Sequence, residues 1–123
     1  MINPDVVFDF EINGNGPSFA GNWAIPGDLP YFEGHFPDGA VLPGVAILDA
    51  SLTAIKRAER DSSLRLTGVK NAKFLQLVRP GMNVRMDLTK TGDATWAVQW
   101  HSVAAGTDAK VLLVELSLHT GRG

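Results

Sequence analysis

Hydrophobic and polar residues alternate in several stretches of the chain, and this alternation predicts β-strands. In the first stretch Phe8, Phe10 and Ile12 share one face, and acidic residues occupy the other. A turn-forming run of asparagine, glycine and proline at 13–17 separates this half-buried strand from a second one at 18–25, so the two form a hairpin. Further strands are predicted at 64–78, where one long strand has room for a bulge, and at 83–88, 95–100 and 111–118.

One α-helix is predicted between the hairpin and the later strands, at 43–60. Proline suits its first turn, and alanine at every fourth position favours helix and allows neighbours to approach closely. The first three turns carry one charged residue, Asp49, so we expect that end to be buried. The predicted buried stripe consists of Val45, Leu48, Leu52 and Ile55. Together these elements predict an α+β fold in which an antiparallel sheet packs on one helix.

The segment 26–44 differs in composition from the rest of the chain. It contains four of the seven prolines, and apolar residues are interleaved with them. A loop of this length is uncommon inside a domain and is usually functional. We therefore expect a loop that is held rigidly against the core by its apolar side chains.

The composition is that of an ordinary globular protein, and it excludes several classes. The 123 residues predict one domain over 1–123, and the net charge of −2 argues against nucleic-acid binding. The absence of cysteine excludes disulfides, thiolate nucleophiles and thiolate metal sites. No apolar run approaches the ~20 residues of a membrane span. The first residues also lack a secretory signal, so a cytoplasmic protein is expected.

Three features carry candidate chemistry, and each also has a purely structural interpretation. Asp49 lies on or beside the predicted buried face, where an unpaired carboxylate is costly, although it could be a hydrogen-bonded structural residue. His35 lies in a proline- and glycine-rich loop and could be a general base or a surface histidine. Gly44 could expose a helix-start N–H to a carbonyl oxygen or simply permit tight packing. His101 and His119 are expected to be exposed strand residues.

These features suit proton abstraction next to a carbonyl group. A histidine base would take the proton, the helix start would stabilise the oxygen, and the carboxylic acid would assist a leaving group. Metal binding explains them less well, because the chain has only three histidines and no closely spaced pair.

The residues from Gly34 to Ala50 resemble the signature of the β-hydroxyacyl-acyl-carrier-protein dehydratases. That signature has a Gly-His-Phe-Pro loop, a Pro-Gly-Val helix start and an acidic residue five positions after the glycine. A second stretch, Ala-Lys-Phe at 72–74 followed by Pro-Gly at 80–81, is also similar to the family. The similarity covers most of the chain, with the same order of elements.

The resemblance implies a hot-dog fold, in which an antiparallel sheet wraps around one long central helix, and a homodimer with shared active sites. His35 of one subunit would face Asp49 of the other. His35 would remove the C2 proton of a 3-hydroxyacyl thioester, and Asp49 would assist loss of the C3 hydroxyl as water. The Gly44 N–H would bind the thioester carbonyl, and the Val41 carbonyl would orient His35. No metal or redox cofactor is implied, and the acyl chain would be carried on the phosphopantetheine of acyl carrier protein.

The chain departs from the family pattern at two positions. Asp49 stands where the short dehydratases usually have Glu, and it is similar to the residue of related dehydratase/isomerases, so double-bond isomerisation is an open alternative. Ala40 stands where the family usually has proline. Similar short dehydratases serve fatty-acid, polyketide or polyene pathways.

Two other functions stay open, a hot-dog thioesterase and a non-catalytic carrier-binding or heterodimer partner subunit. Phe36, Leu42 and Phe74 are candidates for the wall of an acyl tunnel, although core packing is the commoner role for such residues. Because carrier proteins are acidic, a basic rim is expected around the tunnel, and Lys73 and Arg79 are the candidates for it.

Overall fold

One long α-helix and six β-strands make up the described part of the fold. The structure is a computed structural model that describes residues 7–32, 39–104, 106 and 109–122. The helix α1 spans Gly44–Glu59, and a short 3-10 helix spans Pro30–Phe32. The strands are β1 (Ile12–Asn15), β2 (Ser18–Ala24), β3 (Leu64–Phe74), β4 (Asn83–Lys90), β5 (Thr95–Val103) and β6 (Lys110–Arg122).

The strands form one antiparallel sheet in the order β1-β2-β4-β5-β6-β3. The predicted α+β class is therefore confirmed. β3 lies at one edge and pairs only with β6 among the described strands. Its register shifts between Leu66 and Gly68 and again between Val69 and Asn71, so the long strand is irregular as expected, although it ends at Phe74 and not at residue 78.

The helix packs on the sheet through small side chains, and the predicted buried stripe is wrong in its rotational phase. Ile55 is buried as predicted, but Leu48 and Leu52 are half-buried and Val45 is 63% exposed. The fully buried side chains of the first turns are instead Ala46, Ala50, Ser51 and Ala54. Small residues face the sheet because the sheet supplies the bulk, including Trp96 and Trp100, both fully buried.

A buried hydrogen bond fixes this orientation of the helix. The Trp100 indole Nε1 donates to the Ser51 Oγ over 3.1 Å, and both side chains are inaccessible to solvent. Because a buried donor without an acceptor is costly, any rotation of α1 that separated the two groups would be unfavourable.

The apolar residues before β1 are buried, but they do not form the predicted strand. Phe8 and Phe10 pack on the ring of Trp23 with centroid distances of 5.5 and 5.4 Å, and the Trp23 Nε1 donates to Asp9 Oδ1 over 3.0 Å. The Arg57 guanidinium, near the end of α1, donates to the Phe10 carbonyl over 2.8 Å. Alternating burial arises here without sheet pairing, which begins only at Ile12.

The loop before the helix is anchored where the structure describes it. Leu29, Phe32 and Leu42 are buried, which confirms that apolar side chains hold the loop against the core. The Leu42 N–H donates to the Val78 carbonyl over 2.7 Å, so the chain entering α1 is tied to the segment after β3.

The histidines of the sheet are less exposed than expected. The His101 side chain is only 17% exposed, and His119 is half-buried. His101 is paired with Arg85 of β4, and its Nδ1 lies 3.6 Å from Asp87 Oδ2. Within the described residues, no helix is long and apolar enough to cross a membrane.

The packing of α1 predicts which helix positions tolerate added volume. Ala50→Leu inserts a branched side chain into a filled contact and should lower the free energy of unfolding by about 1–3 kcal/mol. Val45→Leu adds one methylene at an exposed position and should change it by less than about 0.5 kcal/mol. Urea unfolding followed by tryptophan fluorescence measures both values. Equal effects of the two substitutions would contradict the assigned helix phase.

Candidate active site

The start of α1 leaves backbone donors available. Pro43 caps the helix with an extended backbone (φ −70°, ψ 157°) and provides no side-chain hydrogen bond to the first turn. Its carbonyl accepts the N–H groups of Ala46 and Ile47, at 3.0 and 3.1 Å. Among the described residues nothing accepts the N–H of Gly44 or Val45. Two N–H donors therefore remain at the positive end of the helix dipole, where a developing carbonyl anion would be stabilised.

The Phe74 ring lies beside this helix start. A Cβ placed on Gly44 would stand 3.3 Å from the Phe74 Cζ, so the absence of a side chain at Gly44 lets the ring lie against the helix backbone. Phe74 is 49% exposed although it is a large apolar residue at the end of a strand. The structure thus brings together two of the predicted site residues, the oxyanion donor and one tunnel residue.

Asp49 lies in the second turn of α1 and is exposed, whereas the sequence placed it on or beside the buried face. The observed rotation of α1 about its axis differs from the predicted one. It turns Ala50 and Ser51 toward the sheet and Asp49 away from it. Its backbone carbonyl accepts the Thr53 hydroxyl over 2.8 Å. Its side-chain Oδ2 accepts the Tyr31 hydroxyl over 3.3 Å.

Tyr31 was not identified from the sequence, and it is the side chain that reaches the candidate acid. It lies in the short 3-10 helix before the His35 loop, and its ring stacks on Phe8 with a centroid distance of 6.4 Å and an interplanar angle of 18°. Burial, and then the neighbouring Asp49 carboxylate, raise the pKa of Tyr31 to about 12. The hydroxyl therefore keeps its proton and donates to Asp49. The available signal was a tyrosine four residues before His35.

His35 and Phe36 lie outside the described residues. On either side of residues 33–38, Phe32 and Ala40 are buried. Val41 is half-buried, and its predicted contact with His35 stays a prediction.

The remaining predicted residues are not gathered at one place by any described contact. Leu42 is a member of the hydrophobic core, so its role in a tunnel stays a prediction. Lys73 is exposed on β3 opposite Glu115 of β6. The Arg79 N–H donates to the Met82 sulfur over 3.1 Å. Within the described residues, no group of three or more acidic or histidine side chains could hold a metal ion.

Comparison with known protein families decides how this site is interpreted. The model of the ApeI-like family, described as ApeI dehydratase, matches residues 11–110. The chain belongs to the ApeI-like dehydratase family.

Curated relatives of this ApeI-like chain carry a related name. It is 34% identical over 79 residues to the 3-hydroxyacyl-[acyl-carrier-protein] dehydratase FabZ of Chloroflexus aggregans, covering 59% of the chain and 55% of that protein. It is 37% identical over 67 residues to FabZ of Bacillus thuringiensis, covering 50% and 46%. The chain thus spans about half the length of the curated relatives it matches. The resemblance to the dehydratases is confirmed.

Solved structures share the fold of the ApeI-like chain. A protein from Erwinia carotovora superposes with a TM-score of 0.73 at 20% identity, covering 91% of this chain and 90% of the other. The dehydratase heterocomplex ApeI:P from Xenorhabdus doucetiae superposes with a TM-score of 0.71 at 17% identity, covering 89% and 92%. The predicted hot-dog fold is confirmed.

Substitution of two aspartates distinguishes a carboxylate that stabilises the fold from one that does not. Asp9→Ala leaves the buried Trp23 indole N–H without its acceptor and should cost about 1–3 kcal/mol of unfolding free energy. Asp49→Ala removes an exposed carboxylate with a single long hydrogen bond and should cost less than about 1 kcal/mol. Urea unfolding of the two variants measures the difference. A larger loss for Asp49→Ala would indicate a structural role for Asp49.

Proposed function

We propose that this chain catalyses the reversible dehydration of 3-hydroxyacyl thioesters to trans-2-enoyl thioesters, with the acyl group carried by acyl carrier protein. The observation that carries the proposal is the exposed Asp49 carboxylate one and a half turns after an uncapped helix start. At a rise of about 1.5 Å per residue, Asp49 stands roughly 7.5 Å along the axis from Gly44. A thioester carbonyl at the helix start would therefore place the acyl C3 within reach of the carboxyl group. The FabZ relatives named above support the same chemistry.

Each group has one task in the proposed reaction. His35 takes the C2 proton, and the electron pair of the C2–H bond forms the C2–C3 double bond by way of an enolate. The N–H groups at Gly44 stabilise the enolate oxygen. In hydration the Asp49 carboxylate takes a proton from the water that adds to C3. In dehydration the protonated carboxyl group returns that proton to the C3 hydroxyl as the C3–O bond breaks, and water leaves. We also propose that no metal or redox cofactor takes part, because the reaction moves protons and a hydroxyl group without a net change in oxidation state.

Aspartate at position 49 affects how the acid reaches the C3 hydroxyl and whether the double bond can isomerise. Its side chain is one methylene shorter than the glutamate that the short dehydratases usually carry. We propose that it acts on the C3 hydroxyl directly or through one water molecule. Isomerisation of the double bond, and the choice between fatty-acid and polyketide or polyene pathways, stay predictions, as does the cytoplasmic location.

We propose that the active unit is a homodimer formed along the β3 edge. The second half of β3 is exposed on both faces, and an edge strand presents unpaired N–H and C=O groups to a further strand. Apolar side chains are exposed along this edge and in the segment after it: Val69, Phe74, Leu75 and Leu77. Pairing of two β3 strands would extend the sheet across the dimer, and His35 of one subunit would meet Asp49 of the other.

We propose that the carrier protein docks next to the dimer interface, near the end of β3. Lys73 is exposed on β3 one residue before Phe74, and Arg79 is exposed after the strand. These exposed basic side chains would attract an acidic carrier to this end of the strand.

The activity test is hydration of a crotonyl or longer enoyl thioester, followed by mass spectrometry of the intact thioester. The wild type should add water, and His35→Ala and Asp49→Asn should each lose at least about 100-fold in rate, since each removes a general acid or base. Asp93→Asn makes the same charge change in an exposed turn and should be fully active. An unchanged thioester with the wild type would favour a carrier-binding or heterodimer partner subunit, and release of free acid would favour a thioesterase.

The dimer test uses charge at the sheet edge. Wild type should sediment with twice its chain mass of 13.2 kDa. Val69→Lys places a charge on exposed edge strand and should give a folded monomer with lower hydratase activity. Thr89→Lys introduces the same side chain at an exposed position of the internal strand β4 and should stay dimeric. A dimeric Val69→Lys variant would contradict the proposed interface.

A further inference from the structure

The candidate acid Asp49 has one side-chain partner among the described residues, and that partner comes from the loop and not from the helix. The Tyr31 hydroxyl donates to Asp49 Oδ2 over 3.3 Å, across 18 residues of sequence. Oδ1 accepts no hydrogen bond from the described part of the chain. The carboxyl group of this exposed residue is therefore held through one oxygen.

Tyr31 is itself fixed by the core. The Phe32 N–H donates to the Leu29 carbonyl over 2.9 Å, which closes the short 3-10 turn around Tyr31. The Tyr31 ring stacks on Phe8, which is 2% exposed and meets Trp23 edge to face. The hydroxyl position is thus set by packed aromatic rings, whereas Asp49 is exposed and otherwise free to rotate about its two side-chain bonds.

We propose that Tyr31 is a positioning residue for Asp49: its hydroxyl holds one carboxyl oxygen and leaves the other directed at the substrate. This inference rests on the proposed dehydratase function. The aspartate side chain reaches the Tyr31 hydroxyl from α1 over 3.3 Å. We expect a glutamate, which is one methylene longer, to place its carboxyl group away from the hydroxyl. Tyr31 transfers no proton to the substrate and acts through Asp49.

The raised pKa of Tyr31 keeps its hydroxyl protonated, so that it can donate a hydrogen bond to Asp49. Burial, and then the charge and hydrogen bond of Asp49, raise its pKa to about 12. Because the folded-state pKa exceeds the ordinary value of 10.0, this contribution to stability is complete below pH 10 and is lost as the pH rises through about 12. The hydroxyl therefore remains protonated throughout the neutral range.

The contact can be tested without any enzyme assay, because Tyr31 is the only tyrosine in the chain. Tyrosinate absorbance after a rapid pH jump reports its ionisation before the protein unfolds. The wild-type midpoint should be about 12. Asp49→Asn should lower the midpoint toward 10.0 without reaching it, because burial remains, and Asp93→Asn should leave it unchanged. A midpoint that Asp49→Asn does not move would overturn the contact.

The functional role is tested by Tyr31→Phe, which keeps the ring on Phe8 and removes only the hydroxyl. We expect kcat to fall by about tenfold, the equivalent of one hydrogen bond to a charged group, with KM changed by less than about twofold. The midpoint of thermal unfolding should stay the same. Unchanged kcat in Tyr31→Phe, with active wild type, would refute the positioning role and leave the dehydratase proposal intact.

A double-mutant cycle with Asp49→Glu separates positioning from general structural support. Tyr31→Phe should cost about tenfold in the Asp49 enzyme and less than about threefold in the Glu background, where the carboxyl group is displaced from the hydroxyl. Equal losses in both backgrounds would mean that Tyr31 acts independently of Asp49. A wild type without hydratase activity would overturn the proposed function, and with it the role of Tyr31, whereas the absorbance titration would still decide whether the contact exists.

Discussion

The hydrogen bond from the Trp100 indole to Ser51 is the constraint on which the rest of the structure depends. Both side chains are inaccessible to solvent, and a rotation of the helix that separated them would leave a buried donor without its acceptor. With small residues on either side of Ser51, α1 lies close to the sheet in a single orientation. That orientation points Asp49 outward and leaves the Gly44 end of the helix uncapped beside Phe74. The chemistry of the site is therefore a consequence of how the opposite face of the helix is buried.

The order and type of the main elements could be predicted from local pattern. The helix over 43–60 was expected and Gly44–Glu59 is observed, because alanine-rich sequence between a proline and charged residues indicates a helix regardless of its neighbours. The phase of that helix could not be predicted in the same way. Hydrophobicity ranks Val45 and Leu48 above Ala50, but the bulk at this interface comes from tryptophans of a distant strand. The strand predicted over Phe8 and Phe10 is wrong for a related reason, since alternating burial does not require a strand partner.

The candidate site was predicted in part. The spacing from Gly44 to Asp49 follows from helix geometry, so both could be named from the sequence, and Phe74 was named from the resemblance and its apolar character. Tyr31 could not be found in this way. Its contact with Asp49 joins a 3-10 turn to a helix, and no periodicity relates the two residues. A residue whose role depends on a tertiary contact can be identified only from a structure. Residues at a fixed spacing on one helix can be identified from the sequence.

The strand order has a consequence for how the chain folds. β4, β5 and β6 are consecutive and pair as neighbours, so the centre of the sheet forms from contacts that are short in sequence. α1 precedes these strands, and its partner for the buried hydrogen bond, Trp100, lies in the middle strand of this meander. The helix therefore gains its tertiary orientation only after the later half of the chain has been synthesised. Until then Ser51 lacks its buried donor, and in a nascent chain ending before residue 100 this hydrogen bond does not fix the orientation of the helix.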